Sequence, residues 1–313
     1  MYKTLFGLKE HPFNANPDPR YLFLTREIQE ALAGLAYGIK NRKGFILLTG
    51  EVGTGKTTLL NRLLDWLNME GVATAYIFNS QLDVSQLFDL MMADFEIPCE
   101  SRDKSHVLIR LNQWLLQRYR DRETSVLIVD EAQNLSLEVL EEIRLLTNFE
   151  TATEKLLQIV LSGQPELDDK LRDPRLRQLR QRITMRCRTQ PLSLQELSGY
   201  IAERLRIGGA NGTPIFSQEA IEAVYKYSRG IPRVANLLCE YSLIGAFVDQ
   251  VRPVPAHLVD DAAHEFELDR LDPMARPVAR SSADQANPME SFLCSLNQLL
   301  QEMNRAEARE RKT

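Results

Sequence analysis

The chain has 313 residues, 44% hydrophobic and 26% charged, the composition of a globular protein able to bury a core. Its formal net charge of -5 excludes bulk attraction to nucleic acid or an anionic membrane, though not a local basic patch. The four cysteines (Cys99, Cys187, Cys239, Cys294) are far apart without CxxC spacing, which argues against a metal cluster or a disulfide framework. The opening MYKTLFGLKEHPF has no apolar signal core, and the runs Ala31–Ile39 and Phe45–Thr49 fall short of the ~20 residues that cross a bilayer. A soluble, cytoplasmic protein is expected.

Residues 1–25 carry prolines at 12, 17 and 19, which forbid a continuous helix and imply an ordered, extended lead-in. Thr25 caps a helix to about Lys40, with Ile28, Leu32, Leu35 and Ile39 on one face. Short apolar runs then alternate with helical stretches. Strands are expected at Phe45–Thr49, Ala73–Asn79, Ser125–Asp130, Leu156–Ser162 and Ile183–Arg188. Helices are expected at Lys56–Asn68, Ser85–Phe95, Ser105–Tyr119 and Leu137–Asn148. Strands apolar throughout and separated by helices imply an α/β domain, a parallel sheet covered on both faces, over residues 1–190. Four further helices, Leu194–Leu205, Ser217–Tyr227, Pro232–Phe247 and Pro255–Leu268, imply a small all-helical domain over 191–270. A polar linker, 271–288, precedes an amphipathic segment, 289–313, which suits a partner-binding or self-packing helix.

The stretch GEVGTGKT, Gly50 to Thr57, fits G-x-x-x-x-G-K-[ST] between an apolar strand and a helix. Gly50, Gly53 and Gly55 let the backbone curl so that N–H groups of Glu51, Val52, Thr54 and Thr58 can face phosphate oxygens. The helix N-terminus adds its dipole to the same anion. Lys56 is placed to neutralise β- and γ-phosphate charge, and Thr57 to offer its hydroxyl to Mg²⁺. The strand SVLIVDEAQNL ends in Asp130, a second Mg²⁺ ligand, and Glu131, which would polarise the attacking water. ATP and Mg²⁺ are therefore the expected ligands. Asn79 is placed to hydrogen-bond Glu131, or else serves as a turn residue.

These motifs, with LLQIVLSGQPEL (156–167), LRQLRQRI (176–183), the opening of residues 2–19 and GIPRVAN (230–236), resemble an AAA+ ATPase. Within that class they resemble the general secretion pathway protein A, or ExeA, type, over about residues 1–268. Polysaccharide-export, exosortase-associated and transposition ATPases share much of the core. The resemblance implies a P-loop (AAA+) fold with a helical lid. It also implies Ser162 or Gln164 as a first sensor, and Arg182 or Arg180 as a finger reaching a neighbouring subunit's nucleotide, with Arg182 preferred. Arg175, Arg177, Arg186 and Arg188 crowd the same segment. Arg233 matches a second sensor on the lid. Tyr21, Leu22 and Leu24 form an adenine shelf or plain core. The implied role is an oligomeric ATPase, ring or filament, acting on protein partners in envelope secretion or polysaccharide export, cytoplasmic and peripheral to the inner membrane. The alternatives are a DNA-associated ATPase of a transposition-like system and a nucleotide-gated scaffold with low turnover. In the ExeA type a membrane span and a peptidoglycan-binding region normally follow the ATPase; after Leu268 this sequence carries the linker and amphipathic segment.

Overall fold

A computed structural model describes residues 2–78, 81–98 and 103–268. In chain order the elements are α1 (Tyr2–Phe6), α2 (Arg26–Lys40), β1 (Phe45–Thr49), α3 (Lys56–Met69), β2 (Ala73–Ile77), α4 (Val84–Asp94), α5 (Lys104–Arg120) and β3 (Ser125–Val129). There follow α6 (Leu137–Leu146), β4 (Leu157–Gly163), α7 (Pro165–Lys170), α8 (Arg177–Arg182), β5 (Ile183–Arg188), α9 (Leu194–Ile207), α10 (Gln218–Ser228), α11 (Pro232–Val248) and α12 (Ala256–Glu265).

The five strands form one parallel sheet of order β2-β3-β4-β1-β5. Every residue of β1, β3 and β4 is buried, which is why these strands read as unbroken apolar runs rather than alternating ones. Successive side chains alternate between faces. Phe45, Leu47, Leu127, Val129, Ile159 and Leu161 join the core beneath α4, α5 and α6. The opposite face is covered by α2 and α3, which bring Leu32, Leu35, Ile39, Leu60 and Leu63, all essentially buried. Thr25 caps α2 as its sequence implies, its hydroxyl accepting from the Ile28 N–H at 3.2 Å.

Helices α9 to α12 enclose a second core around Leu197, Ile201, Leu238, Leu243 and Val259. Here the lead-in departs from the expected assignment to the sheet domain. Tyr2, Phe6, Leu8 and Phe13 are buried in this helical core, and α1 is a helical turn where an extended segment was expected. The prolines are all downstream of α1, so nothing in residues 2–6 forbids a helix. Two more short helices, α7 and α8, escape sequence periodicity because six residues hold barely two turns. No helix among the described residues is long and apolar enough to cross a membrane. Cys187 and Cys239 are buried and unpaired. The readings of Asn79, Cys99, Cys294, the linker and segment 289–313 lie outside the described residues.

Candidate active site

β1 delivers the chain to Gly50, and the loop returns as α3 at Lys56. Gly53 and Gly55 have φ of +79° and +93°, a region where a Cβ is strained. Gly50 is required by crowding instead: a Cβ there would lie 2.0 Å from Thr189 Oγ1. Thr54 closes the loop, its buried hydroxyl donating to the Glu51 carbonyl at 2.8 Å and meeting Thr189 Oγ1 at 2.7 Å. Glu51 and Val52 are exposed, and Thr58 is half-buried in the first turn of α3. Lys56 is buried, with Nζ donating to the carbonyls of Gly50 (2.7 Å) and Glu51 (3.0 Å). Burial holds its ammonium below the usual lysine range, against the opposite pull of Glu131, Asp130, Glu51 and Glu166.

Only β4 separates β1 from β3, so the loop and the acidic pair end on the same edge of the sheet about 10 Å apart. α3 closes that gap. Thr57 Oγ1 donates to Asp130 Oδ2 at 3.2 Å, and the Tyr76 hydroxyl donates to the same oxygen at 3.2 Å. The Glu131 N–H fixes the other oxygen, Asp130 Oδ1, at 2.9 Å. Burial, then the Asp130 charge, pushes the Tyr76 phenol up, so it remains a donor. One carboxylate beside one threonine hydroxyl fits Mg²⁺, which fills its other positions with phosphate and water oxygens. The crowded, positive-φ glycine cradle fits a polyphosphate.

Glu131 has φ +52°, uncommon for a residue with a side chain, and opens a single 3-10 turn, Ala132–Asn134. Its Oε2 accepts from Gln133 Nε2 at 2.6 Å and from Gln164 Nε2 at 3.1 Å. Gln164 is thus the sensor candidate that the fold brings to Glu131. Ser162 lies one step inside β4, fully buried, its Oγ without a partner among the described residues.

Arg233 stands at the start of α11, exposed, and its N–H donates to the Gly53 carbonyl at 3.2 Å. Its guanidinium has no partner among the described residues. Arg180 and Arg182 precede β5, whose Ile183 pairs with Phe45 at the other end of β1 from the loop. They sit about 16 Å of strand away from it and cannot serve their own chain's loop. Arg182 is tied to Thr147 and to Asn148 Oδ1 (2.7 Å), whereas Arg180 is exposed and unpartnered among the described residues. Of the two, Arg180 thus has the guanidinium left without a partner among the described residues. Tyr21 is packed: its ring lies 4.4 Å from the buried Arg204 guanidinium and its hydroxyl donates to Glu10 Oε1 at 2.8 Å. Leu22 is half-buried and Leu24 exposed.

Gln133, Tyr76 and Thr189 are site residues that sequence reasoning missed. Gln133 follows Glu131 by two positions, but a polar residue in a turn after a strand has an ordinary explanation. Thr189 is legible only from the pairing of β5 with β1.

A parallel sheet with a phosphate loop after its β1 strand, an acidic pair after the strand two places away, and a helical lid on the loop define an AAA+ module. Residues 39–171 match a family described as AAA domain. Solved structures share the fold: the Aeropyrum pernix ORC2 protein (ADPNP-ADP complexes) has a TM-score of 0.62 at 19% identity, covering 85% of this chain and 75% of that one. Cdc6p from Pyrobaculum aerophilum gives 0.62 at 20% identity, over 84% and 70%. In sequence the chain is 46% identical over 248 residues to the general secretion pathway protein A of Aeromonas hydrophila. That match takes in 79% of this chain and 45% of the relative, so the chain spans less than half of the relative's length. The chain is thus similar over most of its length to the general secretion pathway protein A and carries the AAA+ fold.

Proposed function

We propose that the protein binds ATP with Mg²⁺, hydrolyses it, and works as a ring or filament on protein partners of envelope secretion or polysaccharide export, in the cytoplasm or held at the inner membrane by those partners. One observation carries the hydrolytic reading. Thr57 and Asp130 meet at 3.2 Å at the mouth of the glycine loop, and Glu131 stands beside them with Oε1 unpartnered among the described residues.

In this reading the loop N–H groups and the start of α3 hold the β- and γ-phosphates, and Lys56 balances their charge. Thr57 and Asp130 hold Mg²⁺, which when bound neutralises charge developing on the phosphate oxygens. Glu131 Oε1 orients the water for in-line attack on the γ-phosphorus and takes its proton. Arg233 brings the lid onto the phosphates, and Arg180 of one subunit completes the site of the next, where a planar, permanently charged guanidinium stabilises the transferring group.

The secretion role is supported by the relative's name and the 46% identity to it. The net charge of -5 argues against the DNA reading, and the arginine cluster, which supports it, is partly offset within the chain. Arg172 pairs with Asp169, Arg175 with Asp173, and Arg186 and Arg188 with Asp168. Counter-ion release needs arginines free to meet phosphate.

The test is a pair of variants. Lys56→Ala loses ATP binding by calorimetry; Glu131→Gln keeps it and loses turnover. Undiminished turnover in Glu131→Gln removes Glu131 as base, and a wild-type chain that binds ATP without releasing phosphate favours the scaffold reading.

A further inference from the structure

The 3-10 turn after β3 does more than end the strand. Gln133 spans from it to two other parts of the site at once. Its Nε2 donates to Glu131 Oε2 at 2.6 Å, while its Oε1 accepts the Gln164 N–H at 3.1 Å, just past the end of β4. Because a backbone N–H can only donate, this contact fixes which end of the amide is oxygen and leaves the NH₂ facing the carboxylate. The turn is itself clamped from α7: Lys170 Nζ donates to the carbonyls of Gln133 and Leu135, both at 2.6 Å. Space is reserved for the amide by Gly163, where a Cβ would come within 2.8 Å of Gln133 Oε1.

Glu131 needs such a brace. Its backbone is in the left-handed region, a strained conformation that persists only where surrounding contacts hold it. The two amide donors, from Gln133 and Gln164, converge on Oε2 and leave Oε1 free to meet water. We propose that Gln133 is a positioning residue for ATP hydrolysis, bridging the end of β4 to Glu131 so that the carboxylate presents Oε1 to the attacking water. Its side chain makes no hydrogen bond to Thr57 or Asp130, and its proposed action is on the Glu131 carboxylate. The inference rests on the reading of Glu131 as the base.

Gln133→Met keeps the side chain's length and removes both hydrogen bonds. Gln133→Glu keeps its shape but sets an acceptor against an acceptor. Both are expected to lower kcat at least tenfold, the scale on which a misplaced base acts, with ATP affinity and melting temperature held near wild type. The discriminating measurement is a cycle with Glu131→Gln under single-turnover conditions. Adding Gln133→Met to Glu131→Gln should cost nothing further, because the positioned carboxylate is already gone. An equal fold-loss in both backgrounds means that Gln133 acts independently of Glu131 and overturns the proposal. So does wild-type kcat in Gln133→Met and Gln133→Glu while Glu131→Gln is dead. Should Gln133→Met fail to fold, the Gln133→Glu arm of the same cycle decides. Full turnover in Glu131→Gln is a different failure, that of the base assignment itself.

Discussion

Gly53 and Gly55 differ in a way that separates backbone strain from contact with the lid. Both sit at positive φ, +79° and +93°, so alanine at either costs ~1–2 kcal/mol of strain. A Cβ on Gly55 meets nothing within 4 Å, whereas one on Gly53 would lie 2.6 Å from Arg233 Cβ and 3.1 Å from Ile231 Cγ2. Relieving that overlap moves the start of α11 or the loop, at the ~1–3 kcal/mol typical of overpacking. Gly55→Ala should therefore lose ~1–2 kcal/mol of stability in the absence of nucleotide, and Gly53→Ala ~2–5 kcal/mol. Urea titration of the two variants beside wild type, with equal m-values, reads the difference directly. Equal destabilisation of the two variants would mean that the lid does not seat on Gly53, and the placement of Arg233 over the loop would fall with it.

Two other expectations follow from single side chains. If Arg180 is the finger, Arg180→Ala and Lys56→Ala chains, each inactive alone, regain phosphate release when mixed, because one interface then joins an intact loop to an intact guanidinium. Full activity of Arg180→Ala by itself, with complementation by Arg182→Ala, returns the role to Arg182. Burial pushes the Cys187 thiol from 9.0 up to about 12, so the native protein should resist alkylation there near pH 9 and become labelled on unfolding. The sign for stability follows: the unfolded thiol loses its proton first, so this group's contribution is intact below pH 9 and declines from there toward 12. Rapid modification of native Cys187 at pH 9, read by mass spectrometry at that cysteine, would contradict its placement.

The parallel sheet was legible because burial on both faces leaves an apolar run, and FILLT and SVLIV are such runs. The loop and acidic pair were legible for another reason: phosphate and Mg²⁺ demand fixed residue types at fixed spacing. The finger was not. Six arginines between 175 and 188 look alike in sequence, and they differ only in which carboxylate or amide each meets after folding, as with Arg186 on Asp168 and Arg182 on Asn148. Gln133 was hidden for a related reason. Its significance comes from Gln164, thirty-one positions away, through strands that are neighbours only in the sheet.

The lead-in gives the lid a second covalent tie to the sheet, and its contacts indicate what that tie carries. Residues 2–13 are part of the lid core, and Arg204 of α9 holds the next stretch through the carbonyls of Pro12 and Asn14. A few residues on, the Pro17 carbonyl accepts from Asn61 Nδ2 of α3, the helix that begins at Lys56. The same short segment thus grips the lid and the helix that follows the glycine loop. Prolines at 12, 17 and 19 suit it to carrying that load, since each fixes φ and lowers the entropy lost on ordering, so the segment can be stiff without being helix or strand. With the other tie running from β5 into α9 and Arg233 seated on Gly53, a shift of the lid must also move the lead-in against α3. The helical domain is thus tied to the sheet domain at both of its ends, through the lead-in onto α3 and through the β5–α9 connection.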